Sequence, residues 1–170
     1  ILINKTLGCS RFVYNYYLNY QKVKGIQKSY SLCKNLKELE KEYEYLKEVD
    51  SCALRCSIFD LEDGYKNFFA KRSNYPKFKS KFARQSYRTS CIRSTYKGKE
   101  YSSIEIDLLT RFIKLPKLGK VKIRGYRNKD KIEGKIINAT IIRETTNKYY
   151  VSVLVEEDLP VEKVIPTSIV

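Results

Sequence analysis

Between residues 1 and 70 apolar side chains return every three or four positions, the spacing of one face of an α-helix. Cys9, Val13, Tyr16 and Tyr20 make one stripe, widened by Phe12 and Tyr17. Leu32, Leu36, Leu39, Tyr43 and Leu46 make a second, and Leu54, Ile58, Leu61, Tyr65 and Phe68 a third. Three amphipathic helices are predicted. Ser31 and the Asp50-Ser51 pair are the expected N-caps of the second and third, because their side-chain oxygens can take the free amides of a first turn. Gly25 breaks the chain after the first helix, and Pro76 bars any helix from running on after the third.

From about residue 103 the period falls to two. SIEID, RFIKL, KVKIR, NATIIRE and KYYVSVLVE are short runs rich in Ile, Val and Tyr, with turn signals at Pro-Lys-Leu-Gly and Thr-Thr-Asn. They predict an antiparallel sheet or small barrel. Residues 72–102 show no convincing period and are expected to form a connector. The fold class is therefore α+β, with a three-helix, helix-turn-helix-like region over 1–71 and a β region over 103–160.

Charge changes the picture more than composition does. The 170 residues carry a formal charge of +15, concentrated in two blocks. Residues 71–99 hold ten bases and no acid, and residues 111–131 hold nine bases and one acid. A polyanion is the partner such blocks suit. The stronger block contains YPKFKSKFARQSYRT (75–89), in which bases alternate with aromatics. Lys77, Lys79, Lys81, Arg84 and Arg88 can each neutralise a phosphate, and Tyr75, Phe78, Phe82 and Tyr87 offer flat faces to bases or sugars. The competing reading is a connector whose aromatics pack on the helices and whose lysines are solvated.

The remaining chemistry is sparse. The chain has no histidine, which removes Ser-His and Cys-His nucleophiles and His-containing metal sites. Its five cysteines have no C-x-x-C pair and read as small buried thiols of a cytoplasmic protein. Asp60, Glu62 and Asp63, and Glu156, Glu157 and Asp158, each lie together in sequence and read as solvated faces. No apolar run approaches the ~18 residues that span a bilayer. If the helices enter a DNA groove, the start of the third, with Ser51, Cys52 and Arg55, is the part that points at base edges or phosphate; a plain bundle is the alternative.

NKTLGCSRFVYNYYL (4–18), YLKEVDSCAL (45–54), GYKNFF (64–69), YPKFKSK and QSYRT (75–81, 85–89), KLPKLGKVKIR (114–124) and KYYVSVLVE (148–156) follow one another in an order that resembles the TnpB/OrfB proteins of bacterial insertion sequences. These are transposon-encoded RNA-guided DNA nucleases related to the type V CRISPR effectors. The resemblance implies that the helices are a recognition region and that the β part belongs to a wedge barrel gripping guide RNA and the DNA beside the target. It implies a DNA-motif contact through Ser51, Cys52 and Arg55, supported by Tyr30 and Lys34. Members often have Gln at the position of Arg55 and Trp at that of Tyr45. Lys77, Lys79, Lys81, Gln85, Tyr87, Lys114, Lys117, Lys122 and Arg124 fall in matched blocks suited to backbone contacts with RNA or DNA. Arg11, Tyr14 and Asn15 lie in the first block, where anchoring the helices is an equal reading.

The chain opens on ILINKTLG, which reads as mid-helix, and stops on the apolar VIPTSIV. Both ends are expected to be cut, with residues 161–170 beginning a nuclease domain. Family members carry there a Gly-Ile-Asp-x-Gly strand with the first catalytic carboxylate. This chain is accordingly expected to bind nucleic acid without cutting it, and to need no cofactor; a divalent metal belongs to the nuclease domain. A stand-alone repressor-like DNA binder and an inactive transposase remnant are the alternatives.

Overall fold

The computed structural model describes residues 1–124 and 134–157. Three helices come first: α1 (Leu2–Lys24), α2 (Ser29–Glu42) and α3 (Ser51–Phe69). Among the described residues eight strands follow: β1 (Gln85–Ser90), β2 (Arg93–Tyr96), β3 (Lys99–Ser102), β4 (Glu105–Asp107), β5 (Phe112–Leu115), β6 (Gly119–Lys122), β7 (Lys135–Arg143) and β8 (Tyr149–Glu156). The α+β class is as expected.

Each helix obeys its local chemistry, with two corrections. Gly25 ends α1 at φ 85°, a backbone conformation that glycine adopts without cost. Asp50 caps α3, its carboxylate accepting from the Cys52 amide at 2.9 Å. Ser31, however, is no cap: α2 starts two residues earlier, after an extended Lys28. The second apolar stripe is also broken. α2 stops at Glu42, and Leu46 reaches the core from a 3-10 turn over Glu44–Glu48. The segment 43–50 between α2 and α3 is longer than the turn of about three or four residues in a tight helix-turn-helix.

α1 buries a wider face than the one its stripe marks: Cys9, Val13 and Tyr17 of the stripe are buried, and so are Leu7, Tyr14 and Leu18 beside it, while Tyr16 and Tyr20 are only partly covered. The reason is that α1 packs on two sides, against α3 and against the β part. α3 keeps its predicted face, with Leu54, Ile58, Leu61 and Tyr65 buried. Burying each such leucine or isoleucine contributes roughly 1.5–3 kcal/mol.

The strands form three antiparallel sheets, β1-β7-β8, β2-β3 and β4-β5-β6. Among the described residues they do not close a barrel. Residues 72–102 are no mere connector, for they supply β1, β2 and β3. β1 pairs with β7, Tyr87 facing Ile141 and Thr89 facing Ala139. Turn chemistry is as read from the sequence: Lys117 (φ 63°) and Gly119 (φ 70°) turn β5 into β6, and Asn147 (φ 61°) turns β7 into β8. The expected start of a nuclease domain at 161–170 lies outside the described residues.

Two cores result. One is helical, built around Val13, Tyr17, Leu18, Leu32, Leu54, Ile58 and Leu61. The other joins Leu7 of α1 and Ala53 of α3 to Tyr87, Ile104, Ile113, Leu115, Ala139 and Ile141 of the β part. Leu7 and Ala53 therefore tie helices and sheets together.

Candidate nucleic-acid interface

The basic-aromatic segment runs along the helices as a pinned arm. At its start the Tyr75 ring meets Tyr65 and Phe68 edge-on, at 5.6 and 5.3 Å between centroids, and its hydroxyl lies 3.2 Å from that of Tyr65. Pro76 is buried next to Gly64, where an added Cβ would meet the proline ring at 3.4 Å. In the middle, the Asn15 amide donates to the Lys79 carbonyl at 3.0 Å, and the Lys79 amide donates to Asn15 Oδ1 at 2.8 Å. At the end, Gln85 donates to the Lys81 carbonyl at 2.8 Å and accepts from Arg11 Nη1 at 2.6 Å. Arg11 and Asn15 thus anchor this arm.

Along this pinned backbone Lys77 and Lys81 are the lysines left outward. Lys77 and Lys81 are exposed and have no carboxylate partner among the described residues. Lys79 is exposed, but its ammonium lies 4.2 Å from the Tyr14 ring centroid, and loss of water lowers its pKa against the opposing pull of Asp60. Phe78 carries the Lys22 ammonium at 4.5 Å, and Phe82 that of Lys81 at 4.9 Å. Phe82 is 79% exposed. Ahead of β1, Tyr75 is the aromatic whose ring packs against others of the helices.

Beyond the arm, β1 turns inward and several expected contact residues become structural. Tyr87 is 4% exposed in the second core, where burial raises its pKa; its ring packs against protein and offers no face to a nucleotide. Arg88 pairs with Asp60 at 2.9 Å, and Arg84 with Glu144 at 2.8 Å. Gln85 is spent on Arg11 and Lys81. Thr89 donates to the Asp50 carboxylate at 2.5 Å, so one buried acid holds both the first turn of α3 and β1.

The α2–α3 face divides in the same way. Ser51, Arg55, Tyr30 and Lys34 are exposed, with the Lys34 ammonium 4.8 Å from the Tyr30 ring. Arg55 lies near enough to α2 for its charge to act on Cys33. Cys52 is buried instead, facing β1: its sulfur accepts from the Ser90 amide at 3.4 Å. Bonds from Cys56 and Ser90 draw its pKa down. Pointing toward the strand, Cys52 presents nothing to a groove.

On the third sheet Lys114 is paired with Glu105 at 2.8 Å, while Lys117, Lys122 and Arg124 are exposed. Of the carboxylates read as solvated faces, those of α3 are engaged by cations or a hydroxyl, and Asp158 lies outside the described residues. Asp60 binds Arg88, Glu62 accepts from Ser29 and pairs with Lys66, and Asp63 pairs with Lys66. Among the described residues no three acidic, cysteine or histidine side chains are grouped to hold a metal, all five cysteines are free, and no helix is long and apolar enough to cross a membrane.

The sequence reading left out one basic-aromatic feature, the β2–β3 hairpin with Arg93, Tyr96, Lys97, Lys99 and Tyr101. The available signal was Lys97-Gly98 between two four-residue runs, a two-residue hairpin turn.

Comparison with known proteins places the chain in a family. A family model of the OrfB IS605 type, described as a helix-turn-helix domain, matches residues 1–24, which is α1. The chain is 31% identical over 118 residues to an Escherichia coli (strain K12) protein named "Putative RNA-guided DNA endonuclease InsQ", covering 69% of this chain and 26% of that one. It is 35% identical over 88 residues to a Streptomyces pristinaespiralis protein named "Putative RNA-guided DNA endonuclease", covering 46% of this chain and 21% of that one. The chain thus spans about a quarter of the length of the curated relatives it matches. With its arm, helices and strands in the order of the quoted blocks, the chain belongs to the TnpB/OrfB family of insertion-sequence proteins.

Proposed function

We propose that this chain is the nucleic-acid-holding portion of a TnpB/OrfB-type RNA-guided DNA endonuclease, gripping guide RNA and target-adjacent DNA for cleavage carried out by a domain beyond it. The observation that carries this reading is the arm, whose backbone is pinned by Asn15 and Gln85 while Lys77 and Lys81 are exposed and have no carboxylate partner among the described residues. A cation held at a fixed place on a rigid backbone loses little entropy on meeting a phosphate, which favours binding there. In this reading the β part serves as a wedge-like support, and Ser51, Arg55, Tyr30 and Lys34 face the DNA motif beside the target.

A second reading rests on that same α2–α3 face. Exposed Arg55 and Lys34 would suit a groove of duplex DNA without any RNA, as in a repressor. Binding titrations of the 170-residue chain against RNA from the end of its own element, unrelated RNA and duplex DNA separate the two. Preference for the element's RNA supports the first reading; tight duplex binding without RNA supports the second. Metal-dependent cleavage by this chain alone would contradict both.

A further inference from the structure

The β2–β3 hairpin stands apart from every contact described so far. Residues 92–101 are exposed throughout, so neither strand buries a face against the protein. A two-stranded hairpin of this kind is marginally stable in water. This one is held at its base and its tip. At the base, Arg93 donates to the Ile136 carbonyl at 2.8 Å, the Cys91 amide to the Ile137 carbonyl at 2.8 Å, and the Ile92 amide to the Ser103 hydroxyl at 2.8 Å. At the tip, Lys97 (φ 51°) and Gly98 (φ 73°) both have the positive φ that a type I′ turn demands.

The pairing decides what each face displays. Ser94 is opposite Tyr101 and Tyr96 opposite Lys99, so one face carries Tyr96, Tyr101 and Lys99 together. Tyr96 and Tyr101 are diagonal neighbours across the ladder, about 7–8 Å apart at their Cα atoms. They are 63% and 49% exposed. The Lys97 ammonium stands 5.4 Å from the Tyr96 ring centroid. The other face carries Thr95 and Glu100, the hairpin's one acid against Arg93, Lys97 and Lys99.

We propose that this face of the β2–β3 hairpin is a stacking platform for unpaired RNA nucleotides, with Tyr96 and Tyr101 taking bases and Lys97 and Lys99 the flanking phosphates. A duplex keeps its bases stacked on one another, whereas single-stranded RNA presents free base faces that aromatic side chains can cover. The excess of cations at the tip fits a polyanion, and two bare tyrosines side by side fit flat bases. This rests on the RNA-holding reading above and adds to it a site, a nucleotide state and the residues that read it.

The test is RNA binding by the 170-residue chain, with oligouridylate as the unstacked probe and its duplex with oligoadenylate as control. Wild type, Y96A/Y101A, Y96F/Y101F and K99A are compared across salt. The double alanine variant should lose at least ~10-fold in oligouridylate affinity, since each stack is worth about 1–3 kcal/mol. Its salt slope, duplex affinity and thermal melt should stay those of wild type. The phenylalanine variant should bind like wild type, and K99A should flatten the salt slope. Undiminished binding by Y96A/Y101A overturns the platform and points to a protein partner for the hairpin. Equal loss on the duplex, or equal loss in the phenylalanine variant, also overturns it. Wild-type chain with no affinity for RNA refutes the RNA-holding reading itself, a result distinct from any of these.

Discussion

The Asn15 side chain brackets the backbone of Lys79, its amide donating to the carbonyl and its oxygen accepting from the N–H at 3.0 and 2.8 Å. These residues are 64 positions apart, so the pair fixes the arm to α1 at its midpoint. Asn15→Ala should cost only about 1 kcal/mol of global stability, the net value of an exposed hydrogen bond. It should nevertheless release the arm. Hydrogen exchange at the Lys79 amide is expected to speed up towards the rate of an open loop, and RNA affinity to fall several-fold. Unchanged exchange would mean that Tyr75 and Gln85 suffice to hold the arm.

Asp50 is the joint between the helical and β parts. Replacing it with alanine removes the α3 cap, worth about 0.5–2 kcal/mol, and strands the buried Thr89 hydroxyl, at a further cost of about 1–3 kcal/mol. A loss of roughly 2–4 kcal/mol is expected in urea unfolding. Asp50→Asn keeps an acceptor for the Cys52 amide and should lose clearly less.

Glu62 links α2 to α3 and should make their docking sensitive to acid. The Ser29 hydroxyl at 2.7 Å, and secondarily Lys66, hold its pKa below the ordinary carboxylate range. A lowered folded pKa means stability that is present above the unfolded value, about 4.3, and is lost as pH falls through the folded value. Ser29→Ala should therefore cost about 1 kcal/mol at neutral pH. The gap from wild type should close as the solution is taken below about pH 4. A gap constant over that window would show that Ser29 acts by packing alone.

α3 was legible from its sequence because one face meets one core, and Leu54, Ile58, Leu61 and Tyr65 repeat at helical spacing. α1 was read only in part for the opposite reason: with neighbours on two sides, it buries Tyr14 and Leu18 beside Cys9, Val13 and Tyr17 of its stripe, while Tyr16 and Tyr20 are only partly covered. β1 was hidden because one of its two buried side chains is polar, Thr89 being satisfied by Asp50, and polar interiors leave no apolar alternation. β2 and β3 were hidden because neither has an inside. At the interface, charge spacing found the arm, with Lys77 and Lys81 exposed on it. It could not tell those from Arg84, Arg88 and Lys114, whose partners Glu144, Asp60 and Glu105 come from elsewhere in the chain. Nor could it see that Tyr87 and Cys52 point inward.

The central claim is that the exposed cations of the pinned arm, Lys77 and Lys81, carry phosphate contacts. It is tested most directly by the salt dependence of RNA affinity for wild type and Lys77→Ala/Lys81→Ala. Each lost phosphate contact on a single strand should lower the slope of log affinity against log salt by about 0.7. The double variant should therefore show a slope shallower by about 1.4, with an unchanged melting temperature. An unchanged slope would contradict the account.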